Sequence, residues 1–160
     1  MTDSITAIKI VRDSLRTNLT DPYVTAGGQD RGGSMWIFAK KPMMTGKFPQ
    51  VQLVKSDNPI EIISMGYNYT EYEQLFIKVW FTCKDGFKIV VDGEEYVNDQ
   101  LVEYYQGLMR TTLKAQGATM HTAGAQGFKT VNASEIGYDP DTQLHSGYLM
   151  IRVQYFVGAC

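Results

Sequence analysis

His121 and His145 are the only histidines of the 160-residue chain, and neither has a second His, Cys or carboxylate at a ligand spacing such as i, i+4 on a helix. Both read as solvated or hydrogen-bonding loop residues. Gly27-Gly28-Gln29-Asp30-Arg31-Gly32-Gly33 superficially resembles a loop whose backbone N–H groups cradle a phosphate. It lacks the Lys-Ser/Thr pair of such loops and is expected to run into a short strand, so it reads as a flexible surface loop. Asp92, Glu94 and Glu95 are the densest acidic group, followed by Glu71 with Glu73. Paired carboxylates do acid–base work or hold a hard cation only at a matched distance, and nothing in the spacing fixes one, so both groups read as solvated. Cys83 lies inside an apolar strand pattern and Cys160 is the last residue, which is not a disulfide framework. The residues therefore give no catalytic, cofactor-binding or metal-ligating set and no cofactor, and an enzyme is not expected.

Charge narrows the classes further. Fifteen basic and seventeen acidic residues leave a net charge of −2, and the basic residues are scattered, Lys40-Lys41 being the one adjacent pair. A surface that neutralises many phosphates needs clustered cations, so no dedicated nucleic-acid face is expected. Three Asn-X-Ser/Thr triplets, at Asn18, Asn68 and Asn132, match a short and frequent pattern and read as chance. The N-terminal residues lack the basic start and apolar run of a signal peptide, and no window has the 18 or more apolar residues of a membrane helix, so synthesis in the cytoplasm is expected.

With 44% hydrophobic and 20% charged residues, the chain has the composition of a domain with one core. Ile5, Ile8, Val11, Leu15 and Leu19 recur at helical spacing and predict an amphipathic helix that Asp21-Pro22 stops. Met35-Trp36-Ile37-Phe38 fits a short buried strand, which run length alone does not distinguish from a helical turn. Val51 with Leu53, then Ile60, Ile62 and Met65, predict strands on either side of Asp57-Asn58-Pro59. Leu75, Ile77, Val79, Phe81 and Cys83 alternate with polar residues and predict a central strand of a half-covered sheet. Phe87 to Val91 reads as either more sheet or a lead into the next helix, with Asp92 to Glu95 a turn or a cap. Leu101, Tyr104, Tyr105, Leu108, Met109 and Leu113 form the stripe of a second, longer helix ending at Gly117. Gln116 to Gly127 reads as a flexible connection, Phe128 to Ile136 as a strand, Tyr138 to Asp141 as a turn, and Leu149 to Val157 as a long closing strand. The expected class is α+β: a mixed or mainly antiparallel sheet of about five or six strands flanked by two main helices. One domain over 1–160 is expected, with long loops at about 20–34 and 116–145.

Tyrosine is unusually frequent, at ten residues. It suits surfaces that are alternately wet and buried, and without a basic groove for nucleic acid the excess favours protein interfaces over base stacking.

The ordered pattern resembles the tail-terminator, or tail-completion, proteins of tailed bacteriophages and related archaeal viruses. The segments that carry the resemblance are the N-terminal helix, Phe48-Pro49-Gln50-Val51-Gln52-Leu53, Glu73-Gln74-Leu75-Phe76-Ile77-Lys78-Val79-Trp80, the helix around Leu101 to Leu113, and His145-Ser146-Gly147-Tyr148-Leu149-Met150-Ile151-Arg152-Val153. It implies a structural virion protein of the tail and neck region, forming a hexameric ring on itself that caps the tail tube, ends its polymerisation and joins the tail to the neck or head. The implied partners are further copies of the chain, the tail tube protein and a neck or head-completion protein, with DNA only as cargo passing through the lumen and no membrane. Ring closure needs a heterologous interface, for which Asp21–Lys47 and Gln116–Leu144 are the candidate segments and Trp36, Phe38, Tyr67, Tyr69 and Tyr72 the candidate residues. A head-completion or neck adaptor protein is the alternative within the same class. A small ligand-binding protein or enzyme using the Gly-rich loop with Asp30, Asp92, Glu94 and Glu95 is the alternative from another class.

Overall fold

The first helix, α1 (Ser4–Asn18), is set by a four-residue repeat. Ala7, Val11 and Leu15 are fully buried and Leu19 nearly so, a straight line along one helix face. Ile5, expected on that stripe, is 63% exposed, because it falls about 120° away from Val11 on the helical wheel; Ala7 takes its place. The structure is a computed structural model and describes residues 4–39, 48–55, 60–65 and 68–159.

Pro22 halts α1 and opens a single turn, α2 (Pro22–Thr25), capped by Asp21. A 3-10 turn (Gly33–Met35) leads into β1 (Ile37–Phe38). Then follow β2 (Gln50–Lys55), β3 (Ile60–Met65), β4 (Asn68–Lys84), β5 (Lys88–Val91), β6 (Glu94–Val97), α3 (Asp99–Lys114), α4 (Gly117–Thr122), β7 (Ala125–Ala133), β8 (Gly137–Asp139) and β9 (Leu144–Ala159). The α+β class is as expected. The main sheet has seven strand segments, although it stands five abreast, because β2 and β3 share one edge of β4 while β7 and β8 share one edge of β9. Among the described residues only β1 with β2 is parallel. Asp92 and Gly93, both at positive φ, make the two-residue turn of the separate β5–β6 hairpin, which settles that segment as a turn between strands.

Two expectations for loops change. Residues 116–145 hold α4, β7 and β8, and residues 20–34 hold α2 and most of the 3-10 turn. The strand expected over Phe128 to Ile136 is present as β7, beginning three residues earlier; small residues hid α4 and the start of β7, since Gly117, Ala118 and Ala125 carry little apolar pattern, yet Met120 and Ala125 are buried. In β7, register shifts at Ala125/Gly127 and Thr130/Asn132 break the period-two alternation by which a strand is recognised.

The core lies between α3 and one face of the sheet. Leu75, Ile77, Val79, Phe81 and Cys83 of β4 are fully buried, as are Leu149, Ile151 and Val153 of β9. Cross-strand rows follow from the register: Leu53, Val79 and Leu149 in one, Ile37, Val51, Phe81 and Gly147 in the next. The ring of Tyr105 from α3 stacks on Phe81 with centroids 4.4 Å apart and planes at 3°. Beside it, Gly147 leaves room for Gln106, whose Nε2 donates to the carbonyls of Tyr148 and Ser134 at 3.2 and 3.4 Å.

A Cβ at position 147 would stand 2.7 Å from that Nε2 and 3.0 Å from Val102 Cγ1. Gly147→Ala is therefore expected to push Gln106 off both carbonyls and to cost about 1–3 kcal/mol. Urea unfolding reads this as a lower midpoint at unchanged slope; a midpoint equal to wild type contradicts the close approach.

Candidate assembly surface

The side chains singled out for an interface are dispersed. Trp36, at the end of the 3-10 turn, is 2% exposed and meets Tyr105 edge-on at 6.3 Å, so its ring is a core side chain within this chain. Phe38 is half-buried on β1, at the edge of the sheet. Tyr67 lies outside the described residues. Tyr69 and Tyr72 pair through their backbones with Ser64 and Glu61, toward the far end of β4. Phe38 faces Gln52 and, through it, Trp80, eight residues from Tyr72 along β4, or roughly 25 Å of strand.

The Gly-rich segment is pinned. Asp21 is 4% exposed and accepts from the backbone N–H of Tyr23 at 3.1 Å and of Arg31 at 3.2 Å. Its carboxylate also takes Arg31 Nε at 2.8 Å and an Arg31 terminal nitrogen at 2.7 Å, a bidentate pair. That same terminal nitrogen donates to the Pro49 carbonyl at 2.9 Å, and the guanidinium lies 4.0 Å over the Tyr23 ring. Arg31 thus ties α2, its own loop and the approach to β2 together. Burial pushes the Asp21 carboxyl up, but the Arg31 hydrogen bonds, the Tyr23 N–H and the guanidinium charge outweigh it, and the net shift is downward. Asp30 accepts from Gly32 N at 2.8 Å and is used within its own loop. Only the three-residue 3-10 turn follows, so no helix N-terminus faces the loop as a phosphate cradle requires.

His145, expected as a solvated or hydrogen-bonding loop residue, is 7% exposed and takes the hydrogen-bonding role at the start of β9. Its Nδ1 lies 2.9 Å from Asp99 Oδ1 and its Nε2 3.0 Å from Asp85 Oδ1, with Tyr138 stacked on the ring at 4.4 Å. The cluster joins the first residue of α3 and the turn after β4 to the start of β9. Cys83, the cross-strand partner of His145, is buried, and that burial, with Asp99 and Asp85 nearby, pushes its thiol up to about 12. A thiol so held is not a nucleophile. Among the described residues no three His, Cys, Asp or Glu side chains are placed to hold a metal ion. His121, Asp92, Glu94 and Glu95 are exposed, the last three on the β5–β6 hairpin. The side chains of Glu71 and Glu73 lie outside the described residues.

What the composition did not single out is the second face of the sheet. Phe76, Lys78 and Trp80 of β4 and Tyr148, Met150 and Arg152 of β9 alternate with the core residues and are half-buried. Trp80 and Tyr148 are cross-strand partners with rings 4.7 Å apart, and Lys78 Nζ lies 4.9 Å from the Tyr148 ring centre. Large aromatic side chains left partly in water on a flat sheet are the material of a protein interface. The alternation of Phe76 and Trp80 with the apolar positions of β4 was the available signal.

Arg31→Met is expected to leave a buried, unpaired carboxylate and to cost about 3–5 kcal/mol. Because the folded-state value of Asp21 is depressed, its contribution is fully present above the ordinary carboxylate value of about 3.9 and is lost as pH falls through the lower folded value. Acid titration followed by circular dichroism should show the wild type losing stability below about pH 4 and the variant losing less there; equal slopes contradict this role for Asp21.

No protein-family model matches the chain, and no curated protein matches it. A solved structure titled "Virion of native gene transfer agent (GTA) particle" is similar over 98% of this chain and 100% of the other, at 12% identity and a TM-score of 0.45. A score and identity at that level do not by themselves establish a shared fold or a shared role.

Proposed function

We propose that the chain is a structural virion protein that forms a closed ring on itself, caps the tail tube, ends its polymerisation and joins the tail to the neck. The observation that carries this reading is the length of the β4–β9 ladder. It is continuous from Thr70 opposite Ala159 to Lys84 opposite Leu144, with one irregularity near Glu71. Seventeen residues of strand extend about 55 Å, whereas a globule of 160 residues is about 40 Å across. The far end, where β3 pairs with the first residues of β4 and the last of β9 lie alongside, therefore stands out beyond the helix-covered core. A projecting antiparallel arm is a means of reaching a neighbouring subunit, by strand addition or by packing on its open sheet face.

Three further features support the reading: the ordered pattern of elements resembling the tail-terminator proteins, the half-buried aromatic face around Trp80 and Tyr148, and a Gly-rich segment held in shape by Arg31.

Mass photometry of the purified chain, alone and with the tail tube protein, is the direct test. A closed multi-copy species that also binds tube is the expected result. A monomer at every concentration, with no affinity for tube, overturns the proposal.

A further inference from the structure

We infer that the two ends of α3 form the two halves of one subunit contact, the acidic end of one copy receiving the basic end of the next. The inference rests on the ring reading above and names the surface that would close it. Along α3 from Gln100 to Thr111, an open groove of about 550 Å³ runs between β6 and the helix, with Glu94, Glu95 and Glu103 toward its N-terminal part and the stacked rings of Tyr96 and Tyr104 as its wall. At the C-terminal end, a groove of about 390 Å³ between α3 and β7 carries Arg110, Lys114 and Lys129. All six charged side chains are exposed. Lys88 approaches Glu95 at 3.9 Å, a weak surface pair; among the described residues the other five make no ion pair.

Three carboxylates on the groove between β6 and α3 and three cations on the groove between α3 and β7 match one another in sign and number. Among the described residues they do not meet within a molecule: no ion pair joins the two sets, and along α3 itself Glu103 stands about 10 Å of helix rise from Arg110 and about 16 Å from Lys114. Between copies they can, and a contact between two different patches repeats around a rotation axis until it closes. Placing opposite charges at the two ends also rejects the reversed arrangement, in which like charges would face each other.

Gly107 supplies a second observation. It sits exposed in the middle of α3 and lines the acidic groove, and a Cβ added there meets nothing within 4 Å. Intramolecular packing does not require glycine at this position, and glycine inside a helix is less stable than alanine by about 1 kcal/mol. The space above it is open to a long side chain of a neighbouring copy, such as Arg110 or Lys129.

The test uses two charge-reversed forms of the full chain, one carrying Glu95→Lys and Glu103→Lys, the other Lys114→Glu and Lys129→Glu, with sedimentation velocity as the readout. All four positions are exposed, so both forms should keep the wild-type circular dichroism spectrum and melting temperature. Each alone, now presenting like charges at every contact, is expected to assemble at least about tenfold more weakly than wild type. Their equimolar mixture restores opposite charges at every contact and should regain the wild-type mass, with the gain lost as salt is raised. Gly107→Leu, which fills the groove without changing charge, should weaken assembly by a similar factor. Charge-reversed forms that assemble like wild type, or a mixture that stays apart, overturn the α3 contact while leaving the ring intact. A wild-type chain that remains monomeric overturns the ring and the contact together.

Discussion

The pairing of β4 with β9 is the constraint from which the other placements follow. Its register brings Leu75, Ile77 and Val79 opposite Val153, Ile151 and Leu149, so the apolar residues of two strands distant in sequence share one face. A slip of one residue would turn every one of them to the other side. Each strand then carries other segments on its free edge, β2 and β3 on β4, β7 and β8 on β9. Helix α3 lies over the joint face because Phe81 and Gly147, neighbours across the ladder, provide a ring to stack on and a gap to enter.

Buried polar groups fix the ends of this assembly where apolar packing is thin. Arg31 and Asp21 hold a glycine-rich loop to the approach to β2, and His145 with its two aspartates holds the start of α3 to the start of β9. Such groups are costly to bury unless every partner is present, so they select one arrangement of the loops. A protein that must present defined loops to other subunits benefits from that selection, because ordering them only on contact would oppose association.

The repeating parts of the fold were legible in the sequence. The period-two runs of β4 and β9, the stripe from Leu101 to Leu113 and the stop at Asp21-Pro22 each have a local cause that one stretch of chain contains. Elements made of small or irregular residues were not. α4 and the first residues of β7 lack apolar periodicity, and their form depends on docking Met120 and Ala125, whereas the strand expected from Phe128 onward is the body of β7. The surface was legible only in part: the tyrosine excess pointed to interfaces, but Trp36 turned inward while Trp80 faced out. Which of two similar aromatic residues is covered depends on where α3 lies, and that is set by contacts between residues far apart in the chain. The same holds for His145, whose partners Asp99 and Asp85 are 46 and 60 residues away.

The fold joins a closed core to several unfinished surfaces: a long β4–β9 ladder, an aromatic sheet face and two grooves of opposite charge along α3. The proposed ring at the end of a tube would use all of them, for contacts around the ring and for contacts along the tube. Electron microscopy of tail tubes polymerising with and without the protein tests this most directly. Tubes that stop growing and carry a ring of extra density at one end are the result this account predicts. Tubes that grow to the same lengths with bare ends would contradict it.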